Sequence, residues 1–156
     1  MRFEGDLYQI GVVVNDIDQG MDHYRNLLGL GPFWRLDTDY QGRYRDWKGR
    51  FANKNAFARW GNVYLEMIQP VIGEGNAKEW LKTRGEGIFH LGYAVDDLKQ
   101  RPQGLECVFE CIGAKGDLTV VHLDTVAQLG YYVELSQRAM VDELTARIDL
   151  ETSVAA

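Results

Sequence analysis

Polar residues interrupt four apolar segments of this sequence, and all four are of types that bind metal ions. Gln9 and His90 each precede an apolar run, whereas Glu66 and Glu134 each lie in the middle of one. A carboxylate inside a buried strand is strongly destabilising unless a cation or hydrogen bonds compensate for its charge. Two neutral donors and two carboxylates would form a neutral site around one divalent ion. This set of nitrogen and oxygen ligands suits Zn²⁺, Ni²⁺, Co²⁺, Mn²⁺ or Fe²⁺.

An internal repeat relates these four residues in pairs. Residues 9–18 resemble residues 90–99 at an offset of 81, and residues 63–69 resemble residues 131–137 at an offset of 68. Two half-modules that share one core would be related by a pseudo-twofold axis, which would bring the four side chains toward one point. The sequence therefore predicts one metal site with the ligands Gln9, Glu66, His90 and Glu134.

Taken singly, each of these residues has a purely structural explanation. His90 could be a hydrogen-bonded histidine of the core, and Gln9 a polar group at the end of a strand. Either glutamate could instead form an ion pair with Arg35 or Arg59. Four such residues at repeat-related positions favour the metal site over four separate explanations.

The hydrophobic pattern of the first half predicts the element order βαβββ. After a strand over about residues 7–14, apolar residues from Ile17 to Leu28 recur with the spacing of one helical face. Asp16 or Asp18 can cap the start of this helix, and Gly29 can end it. Three strands are expected next, over about residues 33–38, 53–60 and 62–69.

The second half repeats this order with a shorter helix. Its first strand is expected over about residues 88–95, after which Pro102 and Gly104 leave room for little more than one helical turn. Met140, Leu144 and Ile148 have helical spacing and predict a C-terminal helix over about residues 139–150. The remaining strands are expected over about residues 106–112, 118–124 and 130–136.

These elements predict an α+β fold in which two βαβββ modules, related by pseudo-twofold symmetry, form one cleft. We expect a single domain over residues 1–156, with half-modules over about residues 5–75 and 86–138. The apolar stripe of the C-terminal helix could pack on the sheet or on a second subunit. A homodimer is therefore expected.

Composition and charge exclude several classes of function. The 156 residues carry a net charge of −6, which argues against a nucleic-acid surface. No apolar run approaches the roughly 18 residues that a membrane span needs, so we expect a cytoplasmic protein without a membrane partner. Cys107 and Cys111 are not in a CxxC pair, and we interpret them as reduced thiols.

The stretch from Arg35 to Arg59 reverses the overall charge. It holds seven basic and three acidic residues together with several aromatic residues. It could cover an anionic, partly apolar small-molecule substrate, or it could be a solvated loop. Three arginines are candidates for binding a substrate carboxylate or phosphate: Arg43, Arg45 and Arg59.

The repeat segments resemble the vicinal oxygen chelate superfamily, the glyoxalase/bleomycin-resistance/extradiol-dioxygenase group. The resemblance covers about residues 7–137 and is carried by the segments YQIGVVVNDIDQGMDHYRNLLGLGPF, VYLEMIQP, GEGIFHLGYAVDDL and HLDT…GYYVELSQ. It implies two βαβββ modules whose curved sheets surround one divalent metal. It also implies the same four ligands that the repeat predicts.

Ligand types within that superfamily indicate the kind of chemistry. Extradiol dioxygenases use histidine at the first ligand position, where this chain has Gln9. Drug-sequestering members generally lack the metal ligands that this chain keeps. The order Gln, Glu, His, Glu is that of zinc-type glyoxalase I, and methylmalonyl-CoA epimerases have a similar set. The segments LEMIQP and GEGIFHLGY are more similar to the epimerase-like branch.

The resemblance implies a metal-dependent lyase, isomerase or epimerase that acts on a small carbonyl-containing substrate. Chelation to the metal would acidify a C–H bond next to the carbonyl, and Glu66 or Glu134 would accept the proton to form an enolate or enediolate. A non-catalytic small-molecule binding protein and, less well, an extradiol dioxygenase are the alternatives. Three further residues are candidates for substrate binding: His122, Tyr64 and Tyr132.

Overall fold

Nine strands and four helices follow one another in the computed structural model, which describes residues 3–153. Residues 1–2 and 154–156, at the ends of the predicted domain, lie outside the described residues. The elements are β1 (Asp6–Val13), α1 (Ile17–Leu28), β2 (Trp34–Arg35), β3 (Thr38–Tyr44), β4 (Trp47–Trp60), β5 (Val63–Ile72), α2 (Asn76–Arg84), β6 (Gly87–Val95), β7 (Cys107–Ile112), β8 (Leu118–Leu123), α3 (Val126–Leu129), β9 (Tyr132–Gln137) and α4 (Arg138–Ser153).

The strands form one sheet that curves until it closes on itself. In the first half β1 is parallel to β5, and in the second half β6 is parallel to β9. The halves meet where β1 pairs antiparallel with β6 and, at the far side, where the end of β3 pairs with β7. The result is an α+β barrel of two related modules around one cleft, which confirms the predicted fold class.

Helix α1 covers the apolar outer face of the sheet in the first half. Ile17 and Met21 pack on Leu65 and Met67, which face outward from the barrel. The Asp16 side chain accepts a hydrogen bond from the Gln19 backbone N–H at 2.8 Å and so caps the first turn, as the sequence predicts. The last turn ends at Gly29, whose φ of 68° suits glycine.

The second half covers the corresponding surface without a helix. Residues 96–106, all of them described, form turns. Leu98 packs there against Val95, Val121 and Leu135 and excludes water from that side of the sheet. The truncation is therefore more complete than the short helix that the sequence predicts, because a single leucine with its loop replaces the apolar stripe of α1.

The basic stretch forms a long hairpin, β3–β4, which the sequence did not predict at this length. The two strands pair from Thr38–Asn53 to Tyr44–Trp47. The turn lies at Arg45, whose φ is 52°. Both faces of these strands carry polar side chains, so the alternation of apolar and polar residues that predicts a strand is absent over most of the hairpin. For β4, the sequence therefore predicted only the last part, over about residues 53–60.

Helices α2 and α4 lie beside the cavity inside the barrel. Helix α2 was not predicted, because Asn76 and Trp80 are its only buried residues. Helix α4 packs on the sheet of its own chain, with Val141 and Ile148 buried. Among the described helices, none combines the length and the apolar character needed to cross a bilayer.

Candidate functional site

Two β-bulges at repeat-related positions turn the candidate ligands into the barrel. Where β1 pairs with β6, Tyr8 is an extra residue between the rungs of Leu7 and Gln9, and Phe89 is an extra residue before His90. A bulge places two successive side chains on one side of the sheet. Each half therefore presents an aromatic residue and a polar residue to the interior, Tyr8 with Gln9 and Phe89 with His90.

Glycines opposite the candidate ligands leave room for them. Gly11 lies between Glu66 on β5 and His90 on β6, and a Cβ atom on Gly11 would lie only 2.1 Å from Nε2 of His90. Gly92, its counterpart in the repeat, lies beside Glu134. A Cβ on Gly92 would be 3.2 Å from Oε1 of Gln9 and 3.2 Å from Oε1 of Glu134. Gly11 requires glycine because the His90 ring crosses over the backbone there, whereas a Cβ on Gly92 would displace its neighbours by only a few tenths of an ångström.

His90 lies between the two candidate carboxylates. Its Nε2 is 3.2 Å from Oε1 of Glu66 and 3.5 Å from Oε2 of Glu134. Burial alone would lower the pKa of His90, but the charge of Glu134 and the hydrogen bond with Glu66 raise it overall. The two charges that favour a proton on Nε2 would equally favour a metal ion at that position.

Gln9 is the fourth candidate ligand, and together with Glu66, His90 and Glu134 it forms a cluster at the cavity. The residue is buried, and its Oε1 has no hydrogen-bond partner in the part of the chain that the structure describes. A buried acceptor without a partner is costly, whereas a metal ion would satisfy it. The donor set of two carboxylates, one imidazole and one amide oxygen therefore fits a divalent cation.

His122 joins the cluster from β8, although the sequence ranked it only as a residue for substrate binding. Ligand atoms of His90, His122 and Glu134 all lie within 4.8 Å of one another. Asn76 Nδ2 lies 2.7 Å from Nδ1 of His122, and Nε2 of His122 lies 2.8 Å from Oε2 of Glu134. Because the amide donates to Nδ1, the Nε2–H donates to Glu134, and His122 orients this carboxylate.

The two carboxylates consequently have very different surroundings. Glu134 accepts hydrogen bonds from His122, Ser136 and Tyr8. Burial alone would raise the pKa of Glu134, but the charge of His90 and the hydrogen bond from His122 outweigh it and lower the pKa to about 2. Glu134 is therefore held as a fixed anion.

Glu66 has a single hydrogen-bond partner in the described structure, His90. Burial raises the pKa of Glu66, and the nearby charge of Glu134 raises it further, so that the bond to His90 compensates only in part. In the repeat, the residue opposite Glu66 is Phe57, whereas the residue opposite Glu134 is His122. This difference, together with the donors Tyr8 and Ser136, makes the two related carboxylates chemically unequal.

A cavity of about 250 Å³ opens from the cluster. Its walls are mostly apolar and include Phe57, Ile68 and Phe109. Lys78 is its one lining residue with a permanent positive charge within the described chain, and its Nζ lies 2.6 Å from Oε1 of Glu74. The cavity therefore suits a small, largely apolar molecule whose polar end reaches the cluster.

Comparison with known proteins identifies the family. A family model described as the Glyoxalase/Bleomycin resistance protein/Dioxygenase superfamily matches residues 8–107. The chain belongs to this superfamily. The match runs from β1, which carries Gln9, to the start of β7.

Individual relatives of the superfamily are distant. YqjC, an uncharacterized protein of Bacillus subtilis strain 168, is 27% identical over 99 residues, which are 64% of this chain and 64% of that protein. The match therefore spans less than two thirds of that relative.

Solved structures show the same fold. A hypothetical protein from Bacillus halodurans is 24% identical, with a TM-score of 0.60 over 86% of this chain and 95% of that one. Methylmalonyl-CoA epimerase from Mycobacterium tuberculosis is 20% identical, with a TM-score of 0.59 over 85% of this chain and 87% of that one.

None of the three candidate arginines lines the cavity. Arg43 Nη2 lies 2.8 Å from Glu110 Oε1, and Arg59 Nη1 lies 3.2 Å from Asp149 Oδ1. Arg45 lines a separate surface depression. Arg43 alternates with the inward-facing Tyr40, Gly42 and Tyr44 on β3, Arg45 lies in the turn after β3, and the ion pair with Asp149 keeps Arg59 out of the cavity.

The two candidate tyrosines also lie outside the cavity lining. Tyr64 is on the same strand as Glu66, but its hydroxyl lies 2.9 Å from Asp149 Oδ2 on α4, near the end of the barrel. Tyr132 is buried behind the cluster, with its ring 5.9 Å from that of Trp80 and 6.1 Å from that of His122. Of the substrate-binding candidates, His122 alone lines the cavity.

Proposed function

We propose that this protein is a divalent-metal-dependent isomerase, epimerase or lyase that removes a proton next to the carbonyl of a small substrate. The observation that carries the proposal is the pair of unequal carboxylates on either side of His90. Glu134 is fixed by three donors, whereas Glu66 is held only by His90. A site for proton abstraction needs one group that stabilises charge and another that accepts the proton.

Gln9, Glu66, His90 and Glu134 would hold the metal ion in this proposal. When bound, the ion supplies Lewis-acid stabilisation to the negative charge that develops on the substrate carbonyl oxygen. Zn²⁺, Ni²⁺, Co²⁺, Mn²⁺ and Fe²⁺ all suit these ligands. The fold neighbours named methylmalonyl-CoA epimerase support this class of chemistry by analogy of fold only.

Glu66 is the base in this proposal. It lines the cavity and has only one hydrogen bond, so one of its oxygens can turn toward the substrate. Its raised pKa lets it retain a proton long enough to return it. Phe57 and Ile68 on the adjacent wall would exclude water from the enolate, and return of the proton or loss of a leaving group would complete the reaction.

The experiment that tests this function is deuterium exchange at carbon. Protein loaded with Zn²⁺, Ni²⁺, Co²⁺ or Mn²⁺ is incubated in D₂O with small hydroxyketones and acyl thioesters, and incorporation next to the carbonyl is followed by NMR. We expect metal-dependent exchange that falls at least about a hundredfold in Glu66→Gln, because the general base is removed. Glu143→Gln, an exposed glutamate on α4, is the matched control and should retain full exchange.

Three outcomes would contradict the proposal. Metal-independent exchange would remove the role of the metal, and full exchange by Glu66→Gln would remove the assigned base. Binding of less than about a tenth of an equivalent of every metal tested would instead favour a non-catalytic binding protein, because ligands this well arranged should retain an ion.

A second candidate function, extradiol dioxygenase activity, is favoured by one specific observation. His90, His122 and Glu134 form a group of two histidines and one carboxylate, a set that suits Fe²⁺ in oxygenases. This alternative requires the Asn76 amide to turn over so that His122 presents a lone pair. Oxygen uptake in the presence of Fe²⁺ and catechol tests it, and the favoured function predicts no uptake.

A further inference from the structure

A second group of polar side chains lines the cavity on the β3–β4 wall. Thr38, Tyr40, Asn53 and Asn55 all face it. Asn55 Nδ2 donates to Thr38 Oγ1 at 3.3 Å, and Asn53 Nδ2 donates to the Tyr40 hydroxyl at 3.4 Å. The surrounding lining is largely apolar, so this group is the polar feature of that wall.

Asn55 is the unusual member of the group. It is only 3% exposed, and its Oδ1 has no hydrogen-bond partner among residues 3–153. On the side toward the cluster its inward neighbours are apolar: Phe57 lies two residues further along β4, and Ile68 lies opposite on β5. An apolar residue at position 55 would pack there without an unpaired acceptor, so the stability of the fold does not explain the amide.

The position of Asn55 relative to the cluster sets the distance between the reacting carbon of a substrate and the group that Asn55 would recognise. Phe57 lies directly opposite Glu66 in the β4–β5 register, and Asn55 lies two residues away along the strand. Two strand residues span about 7 Å. A substrate whose reacting carbon lies beside Glu66 therefore places atoms about 7 Å from that carbon near Oδ1 of Asn55.

The charge of this wall indicates what those atoms are. All four polar side chains of the group are uncharged, and the arginines of the same hairpin point away from the cavity. An anionic group would gain no ion pair from these four side chains, and Lys78, the cation of the cavity lining, already pairs with Glu74. A neutral N–H or O–H group would satisfy the unpaired oxygen.

We infer that Asn55 is a specificity-determining residue whose Oδ1 accepts a hydrogen bond from an uncharged N–H or O–H group of the substrate. The inference rests on the proposed function, because it takes the reacting end of the substrate to lie beside Glu66. It further defines the substrate as a carbonyl compound with a neutral polar tail.

Matched probes test the inference by isothermal titration of the purified protein. The first pair is the propionyl thioester of N-acetylcysteamine and an isosteric ketone in which a methylene replaces the amide N–H. The second pair is a hydroxyl-terminated propionyl thioester and its methyl-terminated counterpart. We expect the donor of at least one pair to bind about tenfold more tightly, because the other member leaves Asn55 Oδ1 unpaired.

A variant assigns this preference to Asn55. In Asn55→Leu the ratio of affinities within the pair should fall to about one, because the acceptor is gone. Asn26→Leu makes the same substitution at an exposed position on α1 and should keep the tenfold ratio of the wild type. Equal affinities within both pairs for the wild type, or an undiminished ratio in Asn55→Leu, would overturn the inference. If Asn55→Leu does not fold, the ratio is measured in Asn55→Ala, which removes the acceptor without adding a bulky side chain and should also bring the ratio to about one.

Deuterium exchange on the same probes separates this inference from the proposed function. A tenfold preference without exchange would support the role of Asn55 and contradict the function. Deuterium exchange with equal affinities within both pairs would support the proposed function and contradict the role of Asn55.

Discussion

Substitution of Gly11 by alanine is the sharpest test of the site geometry. A Cβ atom on Gly11 would lie 2.1, 2.3 and 2.4 Å from Nε2, Cε1 and Cδ2 of His90. His90 is fully buried, so its ring has no path to solvent. The clash is with the face of a ring packed on all sides, and the ring must move as a unit.

The size of this movement follows from the contact distances. Ordinary van der Waals contact begins at 3.4 Å, so the imidazole must shift by about 1.3 Å. Metal–ligand distances tolerate about 0.2 Å, so His90 would no longer be a ligand. Changes to groups that only orient a ligand lower metal affinity by about ten- to a hundredfold, so loss of His90 should lower it at least a hundredfold. Overpacking should also lower the free energy of unfolding by about 1–3 kcal/mol.

Titration with Co²⁺, followed by visible absorbance, measures this loss without any need for a substrate. Gly92→Ala is a graded comparison, since its Cβ would lie 3.0 Å from Cβ of Gln9 and should cause a smaller loss. Gly20→Ala is the control for an added methyl group outside the barrel, because its Cβ would meet the flexible Met67 Sδ at 2.7 Å, on the opposite face of β5 from Glu66. Gly20→Ala should retain Co²⁺ affinity with little change in stability, because a flexible side chain yields to the added atom.

Wild-type Co²⁺ affinity and an unchanged spectrum in Gly11→Ala would refute this reasoning. They would mean that His90 can bind the ion from another position, or that it is not a ligand. Equal losses of affinity in Gly11→Ala and Gly20→Ala would also refute it, since the effect would then come from general destabilisation.

Three further predictions concern the surroundings of the cluster. The pKa of Glu134 in the folded protein is about 2, below its ordinary value of 4.5. The ionised carboxylate therefore stabilises the fold above pH 4.5, and this contribution is lost as the pH falls toward 2. The loss is about 3 kcal/mol, and urea unfolding at a series of pH values should show it in the wild type but not in Glu134→Gln. His122→Phe should lower Co²⁺ affinity by about ten- to a hundredfold, with a melting curve that is still cooperative, because the donor that orients Glu134 is lost. Replacement of Arg43, Arg45 or Arg59 by glutamine should change probe affinity by less than about twofold in titrations, because none of the three lines the cavity. For the exposed pairs of Arg45 and Arg59, urea unfolding should show a change in stability of about 1 kcal/mol or less, because surface ion pairs contribute little.

Hydrophobic spacing and the repeat predicted much of the fold. The stripe from Ile17 to Leu28 and its flanking Asp16 and Gly29 predicted α1 with its correct ends. These features are local, and the chain within a few residues decides them. The hairpin β3–β4 and helix α2 were not predictable in this way, because their buried positions are few and their stability comes from contacts distant in sequence.

The arginine candidates also depend on contacts that are distant in sequence. A run of basic residues indicated an anion site, but Arg43 pairs with Glu110 and Arg59 with Asp149, so that neither guanidinium group lines the cavity. Asp149 lies 90 residues from Arg59, and no local pattern relates the two.

The sequence by itself determined that this chain is a duplicated α+β module and which four residues deserve testing as metal ligands. It did so because repeats and apolar periodicity are written in local order. Only the tertiary structure decided that Glu66 and Glu134 are unequal, because that depends on β8 and α2, which bring His122 and Asn76 to one carboxylate while Phe57 faces the other. The electrostatics of a buried group depend on what surrounds it in space, and that is a property of the packed barrel.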